Sequence, residues 1–135
     1  MLIPKITTGQ DLRLQVEKGN ISLQLKHQHF LKHVEGTTQF EQYKAARVAR
    51  NWPQQGILLI NENEAQNIIH NFAGTGIIDS VVIDHNNKIA IKEKVDIGRE
   101  IGIYCNKQGV GLTKTAMFVY GQKGAHLYPI KGALQ

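Results

Sequence analysis

The spacing of apolar side chains changes at Gly76, and this change limits the possible folds more than any other feature of the sequence. Residues 61–74 begin with a capping-box variant, Asn61-Glu-Asn-Glu64, and place apolar side chains on one helical face, namely Ala65, Ile68, Ile69 and Phe72. Residues 76–98, GIIDSVVIDHNNKIAIKEKVDIG, instead predict a strand, a turn at residues 85–87 and a second strand. Helices followed by consecutive short strands predict an α+β fold with an antiparallel sheet.

The remaining segments extend this pattern in both directions. A helix is predicted between Thr8 and Gly19, and another over residues 39–50, capped by Thr38 and ended by Trp52-Pro53. Three further strands are predicted in EIGIYCN, LTKTAMFVY and AHLYPI, separated by the turns KQGVG and GQKG. The 135 residues predict one domain over residues 1–135, with a helical part at about 8–75 and a sheet of four to five strands at about 76–131.

Composition excludes several classes of protein. Cys105 is the only cysteine, which excludes an internal disulfide and a zinc site built from several cysteines. No run of about 18 apolar residues is present, so no membrane span is expected. The first fifteen residues lack a cationic region followed by an apolar core, so they do not look like a secretory signal.

Positive charge is concentrated at the two ends of the chain, and the net charge is +5. Residues 1–50 hold eight Lys or Arg against four Asp or Glu, whereas residues 51–100 hold four against seven. Residues 101–135 carry four lysines and no acidic residue. Two basic ends that fold together would form one cationic surface, which favours a nucleic-acid partner.

A cluster of histidines and lysines, KHQHFLKHVEGT, occupies residues 26–37. His29 and His33 lie four apart, as zinc-binding pairs on a helix do. However, structural zinc needs four ligands, no carboxylate or cysteine completes the set, and Lys26 and Lys32 would repel a dication. We therefore expect no metal and no cofactor.

The same residues fit metal-free cleavage of RNA. A histidine with a pKa near neutrality can take or give a proton, and neighbouring lysines can stabilise a phosphate as charge develops on it. A base would remove the proton of a 2′-hydroxyl, and an acid would protonate the departing 5′-oxygen. The other interpretation is a solvated basic segment whose histidines have no chemical role.

The second half of the chain supplies possible partners for these histidines. Hydroxyl groups and a histidine lie on or between the last two predicted strands, at Thr113, Thr115, Tyr120, His126 and Tyr128. Strand alternation places Thr113 and Thr115 on one face and Lys114 and Tyr120 on the other. Arginines able to hold a phosphate are Arg47, Arg50 and Arg99. Arg99 can equally pair with Glu93 or Asp96.

Several stretches occur in an order that resembles the type 50 polymorphic toxin domain. They are VEKGNIS, LKHVEGT, NEAQNIIHNFAGTG, KEKVDIGREIGIY and YGQKGAHLYP, and together they extend from about Val16 to Pro129. The most specific are Lys32-His33-x-x-Gly36-Thr37 and Gly124-x-His126-x-x-Pro129. One departure concerns the last motif, which often reads His-Tyr-Ser in this family and here reads Val119-Tyr120-Gly121.

The resemblance implies a fold, an activity and partners. The fold would be of the barnase–EndoU–colicin–RelE type, with RNA cleaved on the concave face of the sheet. The activity would be that of a metal-independent ribonuclease acting on transfer RNA. The domain would be delivered as the C-terminal part of a larger secreted or cell-surface protein, as in contact-dependent growth inhibition, and act in the target-cell cytoplasm. Its partners would include a cognate immunity protein, expected to be acidic, and a host translation factor is a further candidate.

These observations combine into one hypothesis about the site. His33 acts as base or acid and His126 as its complement, while Lys32 and Arg99 support the phosphate. Tyr120 and either Thr113 or Thr115 orient it. Further phosphate-binding candidates are Arg47, Arg50 and Lys114. The alternative function is a basic RNA-binding module without catalysis.

Overall fold

Residues 5–132 are described by the computed structural model, and they form the predicted α+β arrangement. The helices are α1 (Gly9–Glu17), α2 (His27–Leu31), α3 (Thr38–Ala49) and α4 (Glu62–Phe72). The strands are β1 (Ile57–Leu58), β2 (Ile77–Ile83), β3 (Ile89–Asp96), β4 (Gly102–Asn106), β5 (Gly109–Thr113), β6 (Thr115–Gly121) and β7 (Gly124–Ile130). None of the helices formed by these residues is long and apolar enough to cross a membrane.

The helix starts follow local sequence signals. At α4, the Asn61 side chain accepts from the Glu64 N–H and the Glu64 carboxylate accepts from the Asn61 N–H, which confirms the predicted capping box. The cap of α3 is Thr37, one residue before the predicted Thr38. Helix α2 was not predicted, because it has only five residues and no side-chain cap.

The strands divide between two antiparallel sheets instead of the single sheet of four to five strands that the sequence predicted. One sheet has the order β2-β3-β6-β7 and the other has the order β1-β4-β5. The predicted strand LTKTAMFVY divides at Lys114, because Thr113 pairs with Gly102 whereas Thr115 pairs with Asp96 and Ile130. The two-residue strand β1 was not predicted. The first part of β5, residues 109–111, was assigned to the turn KQGVG, because a glycine-rich sequence does not predict a strand.

The two faces of the four-stranded sheet differ in character. Its buried face packs against α1 and α4 and carries Ile91, Phe118, Tyr120 and Leu127, each fully buried. The opposite face carries cross-strand rows, of which Lys92, Val119 and His126 form one and Lys94, Met117 and Tyr128 form the next. This second face holds the candidate site, because the strand period of two brings every second side chain of β7 onto it.

A buried carboxylate links the sheet to the end of α4. Glu93 is fully buried, and its oxygens accept from the Tyr120 hydroxyl at 2.6 Å and from the N–H groups of Gly74 and Gly76 at 3.1 and 2.7 Å. Burial and the neighbouring Glu93 carboxylate raise the pKa of Tyr120, so its hydroxyl stays protonated and serves as the donor. The interaction fixes the turn that joins α4 to β2.

Replacing Glu93 with alanine is expected to destabilise the protein by roughly 3–5 kcal/mol, because the buried Tyr120 hydroxyl and two partly buried N–H groups lose their acceptor together. Tyr120→Phe removes one donor and leaves Glu93 its two backbone bonds, so the expected loss is about 1–2 kcal/mol. Urea unfolding of both variants and the wild type gives these free energies. Equal losses in the two variants would contradict a network centred on the carboxylate.

Candidate active site

The segment before α2 is tied to β7 by main-chain hydrogen bonds. The Lys26 N–H donates to the Ala125 carbonyl, and the Ala125 N–H donates to the Gln24 carbonyl, both at 2.8 Å. Gly124 has φ of +151°, and a Cβ there would lie 2.7 Å from the Gln24 oxygen. Glycine therefore permits this close approach, which places α2 over the face of β7 that carries His126.

Five aromatic and imidazole rings then form a continuous cluster, which we call the ring cluster: His29, His126, Tyr128, His33 and Tyr43. The His29 and His126 centroids lie 4.6 Å apart. The Tyr128 centroid lies 6.4 Å from that of His126 and 5.6 Å from that of His33, with both pairs stacked. Tyr43 of α3 meets His33 edge to face at 5.9 Å.

The tautomer of His33 follows from its hydrogen bond. Its Nδ1 lies 2.9 Å from the carbonyl oxygen of Gly56, and the residue is only 6% exposed. Because a carbonyl oxygen can only accept, Nδ1 carries the proton. In the neutral ring, Nε2 is therefore the atom with a free lone pair.

Gln55 fixes the backbone around His33. Its side-chain Nε2 donates to the carbonyls of Lys32 and Phe40, each at 2.9 Å. Its Oε1 is buried without a hydrogen-bond partner among the described residues. The amide thus holds the loop that follows α2 against α3, and the position of His33 depends on this packing.

Burial and neighbouring positive charge keep the histidines neutral. Burial lowers the pKa of His33 to about 4; the bond to Gly56 opposes this effect, and Arg47 and Lys32 add to it. Burial also lowers the pKa of His126 to about 3, with further lowering by His29, His33, Lys26 and Lys32. The pKa of His29 is lowered by burial and then by Lys32 and Lys26. All three rings are therefore neutral at pH 7 in the free protein.

A cleft of about 530 Å³ opens beside the ring cluster. His33, Tyr43, His126 and Tyr128 line it, together with the cations Arg47, Lys92 and Lys131. Among residues 5–132, no Asp or Glu side chain lines it. The strand segment Tyr104–Cys105–Asn106 of the second sheet forms its far wall. Its volume suits a nucleotide-sized ligand, and its charge favours an anionic one.

The structure brings some of the predicted residues to this cleft. His33, His126 and Arg47 line it directly. The Lys32 ammonium lies 5.3 Å from the centroid of the Tyr43 ring, at the edge of the ring cluster. Thr115 lies in the row of the cleft face that includes Ile130, but it does not line the cleft.

Other predicted residues lie elsewhere. Tyr120 is on the buried face of the sheet and bonds to Glu93, and the buried Thr113 hydroxyl donates to the Ile130 carbonyl at 2.6 Å. Arg99 pairs at 3.4 Å with Glu64 of α4, not with Glu93 or Asp96. Lys114 is exposed between β5 and β6, and Arg50 lies beside Trp52 outside the cleft. We therefore leave Tyr120, Thr113, Arg99 and Lys114 out of the catalytic set proposed below.

Sequence reasoning named Tyr128 beside His126, and the two share a face because they lie two residues apart on β7. It did not indicate Tyr43, Gln55 or Lys92 as residues of the cleft. Lys92 reaches the cleft through the β3–β6–β7 register, and Tyr43 and Gln55 reach it through packing of α3. No pattern within a short stretch of the sequence indicates either the strand register or the packing of α3.

Within residues 5–132, no group of three or more His, Cys, Asp or Glu side chains is arranged to hold a metal ion. His33 and His126 each stack on Tyr128, and His29 lies against His126 with the ring planes tilted by 31°. The expectation of metal-independent chemistry stays a prediction, which a chelator tests.

Comparison with known proteins gives one match. The family described as bacterial toxin 50 matches residues 25–129, which include every residue of the ring cluster. No curated protein and no solved structure matches the chain.

Proposed function

Since the chain belongs to the bacterial toxin 50 family, we propose that it is an antibacterial toxin domain that cleaves RNA without a metal ion, with transfer RNA as its substrate. The observation that carries the proposal is that His126 and His33, the latter in a fixed tautomer, line one cleft together with the cations Arg47, Lys92 and Lys131. Such a cleft offers a base, an acid and cations for a phosphate. These are the components that transphosphorylation of RNA requires.

His33 is the proposed base. Its Nδ1–H is held by Gly56, so the neutral ring presents Nε2 as an acceptor for the proton of a 2′-hydroxyl. As that proton moves to His33, the 2′-oxygen attacks the adjacent phosphorus. The pKa of about 4 keeps the ring unprotonated before substrate binds, and a bound phosphate would raise that pKa towards the range suited to catalysis.

His126 is the proposed acid. The bond from phosphorus to the 5′-oxygen breaks as His126 gives its proton to that oxygen, leaving a 2′,3′-cyclic phosphate and a 5′-hydroxyl. Because its pKa is about 3 in the free protein, His126 must gain this proton as the phosphate binds. The His29 ring lies beside it, with the two centroids 4.6 Å apart and the ring planes tilted by 31°.

Three groups are proposed to hold the phosphate. Arg47 and Lys92 line the cleft from α3 and β3, and Lys32 lies at the edge of the ring cluster. Arg47 is fixed before substrate arrives, because its Nε donates to the Pro53 carbonyl at 2.7 Å. A fixed guanidinium stabilises developing charge without rearranging during the reaction.

The pH dependence of kcat/KM tests the assignment of the acid. If His126 donates the proton, the reacting complex carries one proton more than the free protein does at neutral pH. With a pKa of about 3, we expect kcat/KM to fall about tenfold per pH unit between about pH 5 and 8. The decrease in kcat should begin at a higher pH than the decrease in kcat/KM, because bound phosphate raises the pKa of His126. A flat kcat/KM profile would contradict an acid histidine and favour Tyr128 or Lys92 instead.

A direct experiment tests the activity itself. The purified domain is incubated with bacterial transfer RNA in excess chelator, and fragments are separated by size. We expect discrete fragments whose amount is unaffected by the chelator. Cleavage that the chelator abolishes would contradict the metal-independent reaction.

The low pKa values favour a second candidate, a module that binds RNA without cleaving it. Two histidines that are neutral at pH 7 suit stacking on bases as well as catalysis. This candidate predicts that RNA binding weakens with salt and that the RNA stays intact. Replacing either histidine should then leave the RNA intact as well. Repeating the incubation in a bacterial extract separates it from a ribonuclease that needs a host translation factor.

The remaining parts of the proposal concern partners and delivery. A cognate immunity protein that blocks the cleft would be acidic, because it must cover Arg47, Lys92 and Lys131. Delivery as the C-terminal part of a larger secreted or cell-surface protein would bring the domain to the target-cell cytoplasm. Expression of the domain inside bacteria should therefore arrest growth, and growth unaffected by the folded domain would count against this.

A further inference from the structure

A row of alternating cations and aromatic rings leads out of the cleft along the C-terminal half of α3. We call this row the cation–ring strip, and its members are Lys32, Tyr43, Arg47, Trp52 and Arg50. The Lys32 ammonium lies 5.3 Å from the Tyr43 centroid, and the Arg47 guanidinium lies 5.5 Å from the centroids of both Tyr43 and Trp52. The Arg50 guanidinium lies 5.3 Å from the Trp52 centroid. Tyr43 and Arg47 line the cleft, whereas the far end of the strip lies on the surface.

Local structure holds the far end of the strip in place. Helix α3 ends at Ala49, and Asn51 reverses the chain with φ of +59°. The Trp52 N–H then donates to the Arg47 carbonyl at 3.0 Å. Arg47 in turn donates from Nε to the Pro53 carbonyl at 2.7 Å. Trp52 is thus folded back onto the last turn of α3 in a defined position.

The residues at the far end of the cation–ring strip do not belong to the hydrophobic core. Trp52 is 48% exposed, and Arg50 is exposed as well. Neither Arg47 nor Arg50 forms an ion pair with a carboxylate in the described part of the chain. The strip therefore presents a half-exposed Trp52 and two arginines that no described carboxylate pairs with. This surface is continuous with the cleft.

We infer that the cation–ring strip binds a single-stranded segment of RNA next to the nucleotide in the cleft, with a base stacked on Trp52 and phosphates held by Arg47 and Arg50. The inference rests on the proposed function in that the cleft holds RNA. Alternating aromatic rings and cations suit single strands, because bases supply flat faces and the backbone supplies phosphates at regular intervals. Paired bases in a duplex do not expose these faces.

Trp52 reports on its own binding site, because it is the only tryptophan in the chain. The probe is a 2′-O-methyl single strand of about ten nucleotides, which cannot undergo 2′-hydroxyl attack and has the length of a typical single-strand site. We expect this strand to change the tryptophan fluorescence at saturation. Inorganic polyphosphate supplies phosphates for Arg47 and Arg50 but no base to stack on Trp52, so it should change the fluorescence less than the strand does. Unchanged fluorescence with the saturating strand would overturn the inference.

Affinity of the labelled strand, measured by anisotropy, gives a second readout. We expect Trp52→Ala to bind about tenfold more weakly and Trp52→Phe to retain most of the affinity. Arg50→Ala should reduce the slope of log K against log salt by about 0.7, the effect of one lost phosphate contact. The matched controls are Val82→Ala, another exposed apolar residue, and Lys88→Ala, another exposed cation; both should bind as the wild type does. Wild-type affinity in Trp52→Ala would overturn the inference.

Cleavage of a dinucleoside monophosphate separates this inference from the proposed function. The dinucleotide is too short to fill both the cleft and the cation–ring strip, so its cleavage by the wild-type protein tests the ribonuclease alone. If the protein binds the strand through Trp52 but cleaves no RNA, the result would contradict the proposed ribonuclease and still support the cation–ring strip. Cleavage with strand binding independent of Trp52 would contradict the strip alone.

Discussion

Replacing His33 with asparagine is expected to lower RNA cleavage by about 10²–10⁴-fold, the usual contribution of a general base. The asparagine amide can still donate to the Gly56 carbonyl in place of Nδ1, which lies 2.9 Å away in the wild type. It cannot accept a proton at pH 7. The substitution therefore removes the base while keeping the hydrogen bond that organises the loop after α2.

Several controls make this prediction specific. His33→Ala should lose as much activity as His33→Asn and more stability, because alanine also leaves the Gly56 carbonyl without its partner. His85→Ala removes an exposed histidine from the turn between β2 and β3 and should leave cleavage unchanged. A folded His33→Asn protein that cleaves transfer RNA at the wild-type rate would contradict the role of His33 as base.

The free energy of unfolding is expected to fall by roughly 3–6 kcal/mol between pH 7 and pH 4, owing to His33 and His126. Their pKa values are lowered from 6.5 to about 4 and about 3 by burial. Above pH 6.5 neither state binds these protons, and stability is unaffected. As the pH falls below 6.5, the two histidines become protonated in the unfolded chain but not in the native state. The free energy of unfolding therefore decreases until the pH reaches the native pKa values.

Urea unfolding at several pH values tests this expectation against a variant with both imidazoles removed, His33→Asn with His126→Asn. Carboxylates contribute to acid unfolding in both proteins, and the difference between the two slopes isolates the histidines. We expect the variant to lose clearly less stability than the wild type between pH 6.5 and pH 4. Parallel curves for the two proteins would contradict the burial of neutral histidines at this site.

Both predictions arise from the same physical conflict. Burial first, and neighbouring cations such as Lys32 second, disfavour the protonated forms of His33 and His126 in the free protein. A bound phosphodiester would add negative charge beside the imidazoles and so raise their pKa values. The proposed acid role therefore requires that substrate binding and protonation of His126 be coupled.

Local patterns in the sequence were sufficient for the elements and for part of the site. The change of period at Gly76 and the Asn61–Glu64 capping box predicted α4, β2 and β3 correctly. The motifs around His33 and His126 identified two residues that do line one cleft. These features can be predicted from the sequence because each depends on residues only a few positions apart.

The rest depended on relations between distant segments. On β6, apolar side chains occupy both faces, with Val119 on one and Phe118 on the other, so alternation could not show that Tyr120 faces the core. The division of strands at Lys114 follows from pairing with Gly102 and Asp96, which no local pattern indicates. The barnase–EndoU–colicin–RelE type of fold stays a prediction, since no solved structure matches the chain.

The chemistry of the fragment ends tests the central claim most directly. Transfer RNA is cleaved by the purified domain in excess chelator, and the ends of the fragments are identified by mass. A second substrate carries a single 2′-deoxy nucleotide on the 5′ side of the cleaved bond. The account predicts 2′,3′-cyclic phosphates and 5′-hydroxyls from the first substrate and no cleavage at that bond in the second. Fragments with 5′-phosphates, or cleavage of the 2′-deoxy substrate at the same bond, would contradict it.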